Sequence, residues 1–140
     1  MPTIQLKNGK TATDPRLGRI PQFDEKSKNF NIMSVMEPVQ INKPRSYTWS
    51  VKKWLDQGNE GSCVGFSWTH ELIARPVVFS TADNVYGRQV YKLAQNMDEW
   101  PGENYEGSSV LGGAKAVMSL GHLAEYRWAF SLNDLILAVG

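Results

Sequence analysis

The 140 residues are one domain's worth of chain, 41% hydrophobic and 21% charged with a net charge of +1, a make-up that fits a packed core rather than disorder. Such a balance leaves no basic surplus for nucleic acid or an acidic membrane face, and apolar runs such as 135–139 fall far short of a bilayer span. The first ten residues contain no apolar leader segment, and a single cysteine excludes an intrachain disulfide and suits a reducing compartment.

Five prolines, Pro2, Pro15, Pro21, Pro38 and Pro44, fall within residues 1–50, where periodicity is weak. Proline fixes its own φ and pushes the preceding residue toward extended geometry. Residues 1–50 are therefore expected to form an extended arm wrapping the core, anchored by Tyr47, Trp49 and Trp54, the alternative being a partly disordered tail. Ile20, Phe23, Phe30 and Ile32 give it apolar side chains that a free tail lacks.

Residues 51–140 read as a helical body. Between Cys63 and Arg75, Val64, Phe66, Trp68, Leu72 and Ile73 cover most of a helix circumference, and Pro76 ends the run; a helix so apolar is buried centrally. Between Asp83 and Met97, Tyr86, Val90, Leu93, Ala94 and Met97 form one stripe, the mark of a surface helix packed on the core. A turn-rich loop, 100–107, leads to Ser108 or Ser109 as cap of a third helix bearing Val110, Ala114, Val117 and Met118, with Gly121 as its left-handed stop. Residues 122–130 read as extended. Ser131 and Asp134 then resemble a capping box before Leu135, Ile136, Ala138 and Val139.

Charged clusters carry little chemistry. Asp98, Glu99, Glu103 and Glu106 fit a solvated loop, and Lys7, Lys10, Arg16 and Arg19 a solvated basic stretch. No two histidines or cysteines stand at metal-ligand spacing, and Gly112-Gly113 sits within a helical pattern rather than a phosphate loop, so neither metal nor cofactor is expected.

The informative segment is 55–66, LDQGNEGSCVGF, which puts a thiol at the start of an apolar helix behind a loop with two glycines. Unpaired N–H groups at a helix N-terminus favour thiolate over thiol. Gly58 and Gly61 permit close backbone approach, and the N–H of Cys63 and the carboxamide of Gln57 are candidate donors to an oxyanion. The residues alone leave two readings open: a primed nucleophile, or an inert cysteine after a glycine turn.

Gln57-Gly58-x-x-Gly61-Ser62-Cys63 followed by Phe66 resembles the active-site signature of papain-like cysteine peptidases, and the flanking stretches DPRLGRIPQFD and EGSSVLGGAKAVMSLGHLAEYRWAF are similar to their actinobacterial and phage-type members. The likeness covers about residues 14–140. It implies an α+β fold seen here as the mostly helical left wall of a two-lobed enzyme, with a buried central helix beginning at Cys63 and the chain ending before the β-rich lobe. It also implies peptide-bond hydrolysis, with Cys63 as nucleophile, Gln57 in the oxyanion hole, and Gly61, Ser62, Gly107 and Ser108 along the substrate.

This chain departs from the family in three ways. Glu60 stands where a second cysteine is frequent, and Val64 where tryptophan is common. The family's catalytic histidine and asparagine follow the cysteine by more than about a hundred residues, further than this sequence extends. His70 is two helical turns along, about 10 Å from the thiol, and fits a packing role; His122 is expected at the surface. The chain alone is therefore expected to be inactive, its partners a peptide or protein substrate and a complementary chain or second copy covering an apolar face that includes 131–139. The alternative is a catalytically abandoned interaction or structural module, as in a phage particle. Other amide chemistry is a third reading. A cytoplasmic or virion-associated location suits all three.

Overall fold

The computed structural model describes residues 3–5, 8–22, 24–36, 48–100 and 105–139. Pro2, Lys7, Phe23, Pro38, Pro44, Tyr47 and Glu103 lie outside the described residues.

The described body is mostly helical. Helix α1 runs Cys63–Ile73, α2 Asn84–Met97, α3 Val110–Ser119 and α4 Leu132–Val139. Strands β1 (Thr3–Gln5) and β2 (Thr11–Thr13) form an antiparallel hairpin with Thr3 opposite Thr13, and two 3-10 turns follow at Glu25–Phe30 and Ile32–Ser34. The first part of the chain is thus not uniformly extended. Asp24 and Asn31 accept from the N–H two residues on and start the two 3-10 turns, a local bond that competes with extended backbone.

Capping residues set most helix limits. Asp83 accepts from Tyr86 N–H and Ser109 from Gly112 N–H, each at 2.9 Å, so Ser109 rather than Ser108 caps α3. Helix α1 stops at Ile73 with Ala74 extended; two residues on, Pro76 lacks an N–H for the helical ladder and keeps Arg75, the residue before it, from helical geometry. Gly121, at φ 79°, closes α3 in the left-handed region. Ser131 accepts from Asp134 N–H at 3.1 Å, while the Asp134 carboxylate accepts from Phe130 N–H, one residue before the expected return bond.

Helices α1, α2 and α3 pack on one another around Val64, Leu72, Val90, Ala94, Ala116 and Val117. Burying each Val or Leu contributes roughly 1.5–3 kcal/mol. Close approach depends on small residues: a Cβ on Gly65 would stand 2.5 Å from Tyr91 N and 2.6 Å from Gly87 O, so α1 and α2 touch backbone to backbone. A Cβ on Gly113 would overlap the Trp68 indole, which donates to Val110 O at 3.3 Å. Six of the eleven residues of α1 and six of the ten of α3 are buried, and both helices pack mainly on α2, so α1 shares the core with α3 rather than holding its centre alone. Two aromatic anchors are corrected: Trp54 is 83% exposed and Trp49 50%. Among the described residues, no helix is long and apolar enough to cross a membrane.

Candidate active site

Cys63 is half-buried, unpaired with another cysteine, and the first residue of α1. Ser62 precedes it as N-cap but makes no side-chain cap bond, and its fully buried hydroxyl has no partner among the described residues. The first helical-pattern bond here is Phe66 N–H to Ser62 O at 3.1 Å. Among the described residues, no acceptor meets the N–H groups of Cys63, Val64 or Gly65. Donors gathered beside a thiol in this way can hold negative charge, on the sulfur or on an oxyanion formed next to it.

The loop before the thiol is tightly tied. Asp56 accepts from Gly58 N–H at 2.8 Å, and Gly58 sits at φ 67°. Gln57 does not present a free donor: its amide nitrogen donates to Arg16 O at 3.0 Å and to Glu60 O at 2.9 Å. Both hydrogens are spent on backbone carbonyls, one of them brought by the N-terminal arm. Arg16 is fixed in turn by Asp14, whose carboxylate the guanidinium holds down to about 2.

The four residues expected along a substrate share one junction, and the chain's own arm covers it. Gly18 O accepts from Ser108 N–H at 2.8 Å and Ile20 N–H donates to Ser108 O at 2.9 Å, giving a parallel bridge between Arg19 and Ser108. Gly61 is buried against Pro15 and Glu106, and a Cβ on Gly18 would overlap the Gly61 carbonyl. Gly107 is buried, and Ser62 and Ser108 are fully so. With the arm seated, none of these four offers a peptide an open edge.

Helix α2 supports this junction through residues that no sequence motif picks out. Buried Gln95 donates to Tyr105 O at 2.7 Å and Gly107 O at 3.3 Å, and Tyr91 hydroxyl accepts from Gly107 N–H at 2.9 Å. Asp98 accepts from Tyr105 hydroxyl at 2.5 Å and from Ser108 hydroxyl at 2.7 Å. Asp98 is therefore a buried-side acceptor and not part of a solvated loop, whereas Glu99 pairs with Lys115 at 3.2 Å at the surface. Burial first, then the Asp98 carboxylate, pushes the Tyr105 hydroxyl well above its ordinary value, and burial raises Tyr91.

Neither histidine adjoins the thiol. His70 Nε2 accepts from Leu55 N–H at 3.0 Å and meets the edge of Trp54 at 6.1 Å between ring centres, a structural use. His122 is half-buried rather than at the surface: it shares a 2.5 Å hydrogen bond with Tyr86 hydroxyl and packs on Phe79 at 4.6 Å. Phe79 N–H donates to Leu72 O, which places that aromatic group near the far end of α1, roughly 14 Å of helix from Cys63. Among the described residues no cluster of His, Cys, Asp and Glu could hold a metal ion. No family model matches the chain, and no curated protein or solved structure matches it.

Proposed function

We propose that this chain is the nucleophile-bearing part of a papain-like cysteine peptidase, with Cys63 attacking the scissile carbonyl and its general base supplied from outside these residues. The supporting observation is a half-buried thiol opening a largely buried helix whose first N–H groups have no described acceptor. The Cys63 N–H is then one oxyanion donor. Gln57 becomes the second only when a carbonyl it now serves, that of Arg16, withdraws with the arm. Both histidines are engaged elsewhere, so the chain by itself does not turn over a peptide. A complementary chain would bring the base and cover α4, where Leu132 is 71% and Val139 58% exposed.

A second reading, a papain-like module kept for interaction or structure, as in a phage particle, is favoured by one observation: both Gln57 amide hydrogens are committed to backbone. Thiol alkylation with iodoacetamide at about pH 6 separates the two. A poised nucleophile reacts well above a free-cysteine control, in the parent chain or in Gly18→Val with the arm lifted, and a rate at or below that control in both leaves only the module. Robust cleavage of a general peptide substrate by the isolated chain, abolished by Cys63→Ala, would refute the missing base.

A further inference from the structure

Asn8 and Gly9 lie in the connection between β1 and β2, both exposed, and form the one Asn-Gly pair of the sequence. Asn8 Oδ1 accepts from Lys10 N–H at 3.0 Å, the bond by which an asparagine side chain turns its own backbone. Gly9 holds φ 77° with open space where a Cβ would project, and among the described residues no acceptor meets its N–H. An unhindered amide nitrogen in an exposed turn therefore adjoins a side-chain carbonyl already polarised by a donor. A donor on an acyl oxygen also holds the negative charge that gathers there when a nucleophile adds.

Two other asparagines show what this turn supplies. Asn31 Oδ1 accepts from Met33 N–H at 2.9 Å, the same local bond. Its following residue is Ile32, whose N–H is engaged with Trp128 O at 2.9 Å and whose branched side chain crowds the nitrogen. Asn84 Oδ1 accepts from Asp56 N–H at 3.0 Å, and the residue after it is the branched Val85 in the first turn of α2. Both have a polarised carbonyl, and neither is followed by an unhindered nitrogen.

We propose that Asn8 is a site of spontaneous modification, closing onto the Gly9 nitrogen, losing ammonia and ending as isoaspartate or aspartate. The Gly9 nitrogen gives its proton to a solvent base as the N–Cγ bond forms, and Lys10 N–H holds the oxyanion on Oδ1. The Cγ–Nδ2 bond then breaks, and the nitrogen takes a proton from water and leaves as ammonia. Water opens the resulting succinimide at either carbonyl: breaking the new N–Cγ bond gives aspartate, and breaking the original peptide bond to Gly9 gives isoaspartate. One water enters and one ammonia departs. Each event puts a carboxylate beside Lys10, and isoaspartate adds a carbon to the main chain, which the register of Thr3 opposite Thr13 does not accommodate. None of this involves Cys63, so it stands or falls separately from the peptidase reading.

The test ages the full folded chain in neutral and mildly alkaline buffer and follows each asparagine by peptide mapping with mass spectrometry. Isoaspartate is counted by an isoaspartyl methyltransferase with labelled S-adenosylmethionine. The expected result is conversion at Asn8 well ahead of Asn31 and Asn84, faster at the higher pH, and at least as fast as in a free peptide of residues 5–13. Gly9→Ala should slow it several-fold, and Asn8→Gln, which would need a six-membered ring, should carry no label in this segment. Asn8 intact while Asn31 or Asn84 converts, a slower rate in the folded chain than in the free peptide, or an unchanged rate in Gly9→Ala would each overturn the proposal; the first two need no variant.

Discussion

Alanine at Gly65 should destabilise the protein more than alanine at Gly87, although both lie on the same helix crossing. A methyl at Gly65 meets Tyr91 N at 2.5 Å, Gly87 O at 2.6 Å and Tyr91 Cβ at 2.6 Å, none of which can rotate away. Restoring ordinary contact requires α1 and α2 to part by about 1 Å, and close-packed interiors resist that. Overpacking of this kind costs about 1–3 kcal/mol, and backbone that cannot rotate away places Gly65→Ala at the upper end. Replacing glycine within a helix returns about 1 kcal/mol of propensity. The net loss is then about 2 kcal/mol, or roughly 6 °C in Tm for a domain of this size.

At Gly87 the added methyl meets the Phe66 ring at 3.2 Å. A ring can tilt by a few tenths of an ångström, so propensity and strain nearly cancel, and Gly87→Ala should stay within about 0.5 kcal/mol of the parent. Urea unfolding followed by tryptophan fluorescence, with thermal melts by circular dichroism, measures both. Equal losses, or a gain at Gly65, would mean that α1 and α2 do not cross in this contact.

Asp98→Ala should cost about 1–3 kcal/mol, because the buried Ser108 hydroxyl and the Tyr105 hydroxyl lose their shared acceptor; Asp98→Asn, which keeps an acceptor oxygen, should recover part of that in urea unfolding. Gly18→Val should lift the arm from Gly61 and raise the alkylation rate of Cys63 several-fold at fixed pH; an unchanged rate with the arm released to limited proteolysis would show that the arm does not shield the thiol. Asp14 is held down to about 2, chiefly by its hydrogen bond from Arg16. Its folded value is depressed, so its contribution to stability is present above about pH 4 and fades as pH falls toward about 2. A carbon-detected titration of Asp14 should show that low midpoint, rising part of the way toward the ordinary carboxylate range in Arg16→Gln, which keeps the backbone N–H bond to Asp14; matching midpoints in both proteins would refute the pairing.

Local chemistry made much of this fold legible. Asp83, Ser109, Gly121 and Pro76 act within a few residues of themselves, and each limits a helix where its own bonding or φ requires. The burial of most of α1 followed from its apolar side chains, Val64, Phe66, Leu72 and Ile73. What stayed hidden depends on partners far along the chain. Nothing in Gln57 indicates that its amide will meet Arg16 O, because a carboxamide serves whichever carbonyls tertiary packing delivers. Residue type alone suggests Trp54 as an anchor, yet its ring lies at the surface against the edge of His70. Asp98 lies among the carboxylates of a turn-rich loop, and only Tyr105 and Ser108 folding back onto α2 make it a buried-side acceptor.

The contacts that hold the arm over the candidate site are few and weak enough to be reversible. Segment 14–20 contributes one carbonyl to Gln57, two backbone bonds to Ser108, and the seat of Gly18 on Gly61. Each neutral bond is worth only about 0.5–1.5 kcal/mol net of its exchange with water. An incoming peptide that took over the Ser108 edge would remake two of those bonds itself, so the net cost of displacing the arm is smaller than their sum. The same displacement removes Arg16 O from Gln57 and frees one of its amide hydrogens. On the peptidase reading proposed above, edge access and release of the Gln57 amide would therefore be coupled through one segment.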